Sequence, residues 1–231
     1  MDTGSGAVVV GLDGTVADPS VPLLRADDLG LLRGDGVFES VLAVDGRPWN
    51  LGAHLARLGR SAAMLDLPAP PVDVWHSCVE AALAARPPTG ETRLRLILTR
   101  GPEAGGEPTG YVLADAVDPA IARARAEGIR AVTLATGIDA GLAEQAPWLL
   151  LGAKTLSYAV NMAAQRWAHA HGAEDAIFVA RDGSILESPT ASVVVASGGR
   201  LTSPPPTEGI LPGTTVAGIF SGARRAGWEV G

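Results

Sequence analysis

Apolar residues recur along this 231-residue chain in two rhythms, one of period two and one near 3.6. In "TRLRLILTRG" Leu94, Leu96 and Leu98 alternate with Arg93 and Arg95, the pattern of a strand with one wet face. "GYVLADAV", across the loop "GPEAGGEPT", reads as its partner. "AVVVGLDGTV" and "VFESVLAVDGRPWNL" are also strand-like, and Asp45-Gly46 is a hairpin turn signal. The helical rhythm begins in "GAHLARLGRSAAMLDL", where Leu55, Leu58, Ala62 and Leu65 share a face until Pro68, Pro70 and Pro71 stop it. "VDVWHSCVEAALAA" predicts the next helix, with another near residues 118–127 before a strand in "IRAVTLATG".

The second half begins after "IDAGLAEQAPW", a composition shift with a proline that reads as a linker. A helix follows Lys154, with Leu156, Ala159, Val160, Ala163 and Trp167 expected on one packed stripe. Strands are predicted in "DAIFVA", "SILE", "SVVVAS" and "RLTSPP", and "LPGTTVAGIFSGARRAG" reads as a loop entering a helix. The pattern is that of two α/β or α+β lobes joined near residue 145, expected at 1–140 and 151–231 with a linker over 141–150. Trp75, Trp167 and Cys78 are expected in cores.

Composition narrows the function classes. At 47% hydrophobic and 19% charged residues the chain is that of a globular protein. A formal charge of −7 without any basic run argues against a nucleic-acid or anionic-membrane surface. One cysteine excludes an internal disulfide, and no metal site is expected, since His169 and His171 stand two apart on a predicted helix. The start "MDTGSGAVVVGLDG" lacks the pattern of a signal peptide and no apolar run reaches membrane-spanning length, so a cytoplasmic protein is expected.

Among the 18 Lys and Arg residues only Lys154 is lysine. Alone it reads equally as a surface residue that survived a compositional bias towards arginine. It also reads as an amine that, once desolvated, loses its proton and attacks a carbonyl. Three further features point the second way together. Glu187 in "DGSILESPTASVVV" can hold a pyridine nitrogen protonated. Gly213, Thr214 and Thr215 in "GILPGTT" open a helix, where N–H groups and hydroxyls seat a phosphate. Arg57 in "HLARLGRS" can fork onto that phosphate. An amine, a ring-nitrogen carboxylate and a phosphate seat are what pyridoxal phosphate requires.

"RGDGVFES", "HLARLGRSA", "AKTLSYAVNMAA", "DAIFVARDGSILESPTASVVV" and "GILPGTT" occur in the order of the class IV, fold-type IV aminotransferase family, which the chain resembles across residues 30–220. The resemblance implies a two-lobed enzyme. Its N-terminal α/β lobe is the smaller, and its C-terminal cofactor-binding lobe carries a barrel-like sheet. By the same resemblance Lys154 matches the Schiff-base lysine, Glu187 the ring-nitrogen carboxylate and Arg57 the phosphate arginine. Thr214 and Thr215 match the phosphate turn, Thr190 falls near the ring, and Tyr158 is a candidate for the cofactor's phenolic oxygen. A small-molecule amino substrate and a homodimer are implied as well. The family usually continues past "RRAGWEVG" with further strands and a helix, so the C-terminal lobe is expected to be truncated.

Family members that act on D-amino acids grip the substrate carboxylate with an Arg-x-His pair, which the loop after Thr99 lacks apart from Arg100. Where they often carry Tyr after "GDGV", this chain has Phe38. Both departures count against a D-alanine transaminase, and the chain's brevity beside branched-chain members leans towards 4-amino-4-deoxychorismate lyase, which expels pyruvate and leaves 4-aminobenzoate for folate synthesis. An amino-acid aminotransferase, of D-amino acid or branched-chain type, is the alternative, and a degenerate non-catalytic member is a further one. A Ser-x-x-Lys hydrolase is set aside because position 151 is Leu. "GPEAGGEP" carries two acids and no Lys, the wrong charge for a phosphate loop.

Overall fold

The computed structural model describes residues 6–139 and 141–231. The chain folds as two compact units, Met1–Arg123 with Lys154–Ser157, and Ala124–Ala153 with Tyr158–Gly231. The first unit therefore ends earlier than the expected residue 140 and reclaims four residues at Lys154. It also holds the larger share of the chain.

The first unit is built on a six-stranded antiparallel sheet in the order β2-β1-β6-β5-β3-β4. Its strands are β1 (Val8–Gly11), β2 (Val16–Ala17), β3 (Gly36–Val44), β4 (Arg47–Pro48), β5 (Glu91–Thr99) and β6 (Thr109–Ala116). The central pairing of β3, β5 and β6 follows the alternation of the sequence, with Leu94, Leu96 and Leu98 wholly buried. Asp45 and Gly46 both take positive φ, the backbone of a tight hairpin between β3 and β4. Short helix α1 (Leu29–Arg33) precedes β3. Helices α2 (Leu51–Met64) and α3 (Val72–Ala84) bury Leu55, Leu58, Trp75 and Val79 in the same core as the sheet's leucines. Cys78 is buried there, its thiol donating to the Gly11 carbonyl.

The second unit contains α4 (Pro119–Glu127) from Ala124 onward, β7 (Ala131–Ala135), α5 (Leu142–Gln145), α6 (Ala159–Ala170) and β8 (Asp175–Val179). It continues with β9 (Val195–Ser197), β10 (Arg200–Thr202), α7 (Thr214–Arg225) and β11 (Glu229–Val230). The expected linker thus contains a turn of helix and lies inside this unit. β7 and β8 pair in parallel, as a helical crossover allows, and α6 packs Ala164 and Ala168 against them. The remaining sheet is β11-β10-β9, so the described residues of this unit form two small sheets and no closed barrel among themselves.

The expected stripe on α6 is corrected. Val160 is 73% and Trp167 46% exposed, whereas Ala168 is fully buried. Leu156 precedes the helix and belongs to the first unit. Small alanines let the helix axis approach the β7–β8 pair closely, and the bulky neighbours are turned off that contact. Trp167 consequently lies outside a core and stacks on His171, ring centroids 3.7 Å apart. No helix among the described residues is long and apolar enough to cross a membrane.

Candidate active site

Lys154 is held by its backbone. The Phe38 N–H donates to the Lys154 carbonyl at 3.0 Å, the Leu156 N–H to the Gly36 carbonyl at 2.8 Å, and Val37 and Thr155 form an antiparallel bridge. The lysine segment thereby adds a short strand to the edge of β3. The remaining Lys154 N–H donates at 3.0 Å to Oγ of Ser61, a buried residue on α2. A Cβ at Gly36 would stand 2.5 Å from the Leu98 carbonyl and 2.7 Å from Leu156, so only glycine admits the added strand. That requirement, with Gly34 as the left-handed cap of α1, accounts for the glycines of "RGDG". Above β3 the Lys154 Nζ lies 4.4 Å from the centroid of the Phe38 ring, a cation–π distance.

On the other face of β3 stands a residue that the sequence pattern did not single out. Val37, Glu39, Val41 and Ala43 all point into the core, and Glu39 is fully buried. Arg57 donates to it from Nε and Nη2, each at 2.7 Å. His54 Nδ1 lies 2.7 Å from Oε2. Burial alone would push the Glu39 carboxyl up, but its bonds to Arg57 and His54 outweigh that and hold it below the ordinary carboxylate range. With the carboxylate ionised, His54 Nδ1 must be the donor. The signal was present in the sequence: an acid at an inward period-two position of β3, and two basic residues three apart on the buried face of α2.

Arg100 is committed elsewhere in the first unit. Its Nε and Nη2 donate to Asp35 at 2.7 and 3.2 Å, and Nη2 and Nη1 reach the carbonyls of Leu65 and Asp66 at 2.6 and 3.3 Å. These bonds tie the end of β5 to the turn after α1 and to the C-terminal end of α2. Arg100 is therefore a structural strap rather than a ready carboxylate grip. Replacing it, Arg100→Ala, should cost about 2 kcal/mol in chemical denaturation while KM for the amino substrate stays within about twofold. A tenfold rise in KM with unchanged stability would return it to substrate binding.

The second unit carries the other predicted residues. Glu187 is half-buried and both its oxygens accept from the Leu211 N–H, at 3.2 and 3.3 Å. The Ser188 N–H closes onto the Ala191 carbonyl, which puts Pro189 and Thr190 at the tip of a tight turn. Tyr158 O–H and Asn161 Nδ2 both donate to the Pro189 carbonyl, at 2.6 and 2.8 Å, so Tyr158 braces this turn. Thr190 itself is exposed and accepts from Gln165 at 3.4 Å. Gly213 is the N-cap of α7 and no side chain caps that end. A Cβ there would meet the Ser192 hydroxyl at 2.7 Å, while Thr214 is buried and Thr215 exposed. Glu187 also lines a cavity of about 600 Å³ within this unit, together with Asn161, Trp167, Phe178, Glu208 and Ile210.

These residues divide into two groups, each gathered within its own unit. The first is an amine beside an aromatic ring, with an anchored guanidinium on the opposite face of the same strand. The second is a carboxylate bonded to the loop that enters an uncapped helix N-terminus, with a turn braced by Tyr158. By its chemistry the first group suits an aldehyde, and the second a protonated ring nitrogen and a phosphate ester. Gly213 is required by packing, because a Cβ there would collide with the Ser192 hydroxyl and the Val216 side chain.

The family model for class IV amino-transferases matches residues 36–231. The chain belongs to that family. A bifunctional aminodeoxychorismate lyase / D-amino acid transaminase of Mycobacterium tuberculosis is 46% identical, aligned over 96% of this chain and 80% of its own length. Among solved structures, a hypothetical aminotransferase from the same organism in a PLP-bound form superposes with a TM-score of 0.93 over 97% of this chain and 80% of its own, at 46% identity. A fold IV-transaminase of Curtobacterium pusillum gives a TM-score of 0.92 at 42% identity, over 98% of this chain and 80% of that one. This class IV chain thus has the mixed α/β fold that its motifs imply.

Proposed function

We propose that this class IV enzyme uses pyridoxal phosphate to convert 4-amino-4-deoxychorismate into 4-aminobenzoate and pyruvate. When bound, that cofactor supplies an electron-withdrawing ring that stabilises negative charge on the substrate carbon bearing the amine. Lys154 supplies the amine that binds the cofactor's aldehyde and then takes and returns the substrate proton. Glu187 keeps the proton on the ring nitrogen. Arg57, the N–H groups at the start of α7 and the hydroxyls of Thr214 and Thr215 would hold the phosphate, and Thr190 would face the ring. In the lyase reaction, charge at the amine-bearing carbon expels the neighbouring enolpyruvyl oxygen, and the substrate ring becomes aromatic.

The commitment of Arg100 to Asp35 and two carbonyls is the observation that carries the lyase reading. A transaminase needs a grip on the carboxylate next to the reacting carbon, and the arginine in the corresponding loop is already engaged. D-amino acid transamination is the second reading, favoured by the two activities in the name of the M. tuberculosis relative. The proposal places the enzyme in the cytoplasm as a homodimer that feeds folate synthesis. Pyruvate release from aminodeoxychorismate, assayed beside pyruvate formation from D-alanine with 2-oxoglutarate, decides between the readings. The first reaction should exceed the second at least about tenfold in kcat/KM, a difference of about 1.4 kcal/mol in barrier. The reverse order would make the chain a transaminase.

A further inference from the structure

A buried ion pair is expensive unless geometry or function retains it, because both groups lose their hydration. The first unit buries three ionisable side chains together: Glu39 at 0%, Arg57 at 6% and His54 at 8% exposure. The arrangement is asymmetric. Glu39 receives Arg57 side-on through Nε and Nη2, and His54 occupies Oε2 as well. A guanidinium held along one edge by a carboxylate cannot swing about its long side chain.

We propose that Glu39 is a positioning residue for cofactor binding, fixing the Arg57 guanidinium in the orientation that receives a phosphate ester, with His54 steadying the carboxylate. The proposal rests on the reading of Arg57 as the phosphate arginine. Sequence and geometry agree on why the device is built here. β3 brings Glu39 to the core on one face and Phe38 to the other, and its edge carries the Lys154 backbone. One strand therefore sets both the arginine and the lysine, and α2 supplies Arg57, His54 and Ser61 from a single buried stripe. Glu39 touches neither substrate nor cofactor in this account and acts only through Arg57.

Positioning and plain electrostatics predict opposite signs. Glu39→Gln removes a negative charge next to Arg57, so a purely electrostatic role would tighten the hold on a phosphate dianion. A positioning role would loosen it, since the amide accepts at one oxygen only and no longer grips both donors.

The test is equilibrium binding of pyridoxal 5′-phosphate and of pyridoxal, followed by absorbance on the cofactor-free full chain. Pyridoxal carries the same aldehyde and ring but no phosphate. Glu39→Gln should weaken pyridoxal phosphate about tenfold or more and leave pyridoxal within about twofold. Glu39→Asp keeps the charge but withdraws the carboxylate, and it should change the ratio of the two affinities in the same direction. This second variant keeps the test alive if the amide variant does not fold. In an Arg57→Gln background, Glu39→Gln should add no further loss. Equal weakening of both ligands, or tighter binding of the phosphate form, would overturn the proposal. If Arg57→Gln itself leaves the ratio unchanged, the phosphate assignment of Arg57 fails, a distinct result that removes the basis of the proposal too.

Discussion

Lys154→Ala should lower turnover by about 10⁴-fold or more, because it removes the one amine that can bind the cofactor's aldehyde and move the substrate proton. The same change should leave the fold intact. The segment is anchored by the Lys154 N–H on Ser61, the Lys154 carbonyl on Phe38 and the Leu156 N–H on Gly36, none of which involves the side chain. The contact of Nζ with the Phe38 ring is lost, worth about 0.5–1 kcal/mol at such a site. Unfolding curves of the variant should therefore lie close to those of the parent, while steady-state assays show no activity above background. A variant that still turned over at a tenth of the parent rate would remove Lys154 from the chemistry. No other lysine exists in the chain to substitute for it.

Glu187→Gln has the second largest expected effect, a fall in kcat of about 100-fold with the cofactor retained. Glutamine has the same shape and can still accept from the Leu211 N–H, so the loop entering α7 keeps its support. What it cannot do is stabilise a proton on a ring nitrogen as a carboxylate does. A charge-assisted hydrogen bond of this kind contributes about 1.5–3 kcal/mol, which is roughly 10- to 100-fold in rate when it is felt at the transition state. The proposed phosphate contacts lie on other residues, so cofactor content measured by absorbance should stay near stoichiometric. A variant with full cofactor and undiminished kcat would contradict the role given to Glu187.

The first unit was the more legible part of the chain. Leu94, Leu96 and Leu98 alternate with arginines because β5 buries one face only, and α2 shows its buried side through Leu55 and Leu58. Such elements obey local periodicity, so their pattern survives into the structure. Helix α6 did not follow its pattern, because close approach to a sheet rewards small residues over large ones, and hydrophobicity alone cannot rank alanine above tryptophan. The expected packed stripe therefore took in Val160 and Trp167, both exposed, and passed over Ala164 and Ala168, which make the contact.

Two placements needed long-range information. Lys154–Ser157 crosses back to pair with β3, a contact more than a hundred residues apart in sequence that no window of the chain records. Arg100 looked like a substrate residue from its place in the loop, and only the backbone turn at Leu65 and Asp66 reveals the strap. Glu39 is the opposite case. An acid in line with Val37, Val41 and Ala43 announces a buried charge, and partners for it stood on α2 three residues apart. Reading the apolar alternation for its exception would have found that cluster.

The central claim is that Lys154 carries the cofactor, and the direct measurement is a visible absorption spectrum of the purified protein before and after borohydride, followed by peptide mapping. The account predicts a visible band that borohydride abolishes and the reduced cofactor's mass on the peptide containing Lys154. A protein that takes up pyridoxal phosphate yet shows no such mass on that peptide, or one that remains colourless with added cofactor, would contradict it.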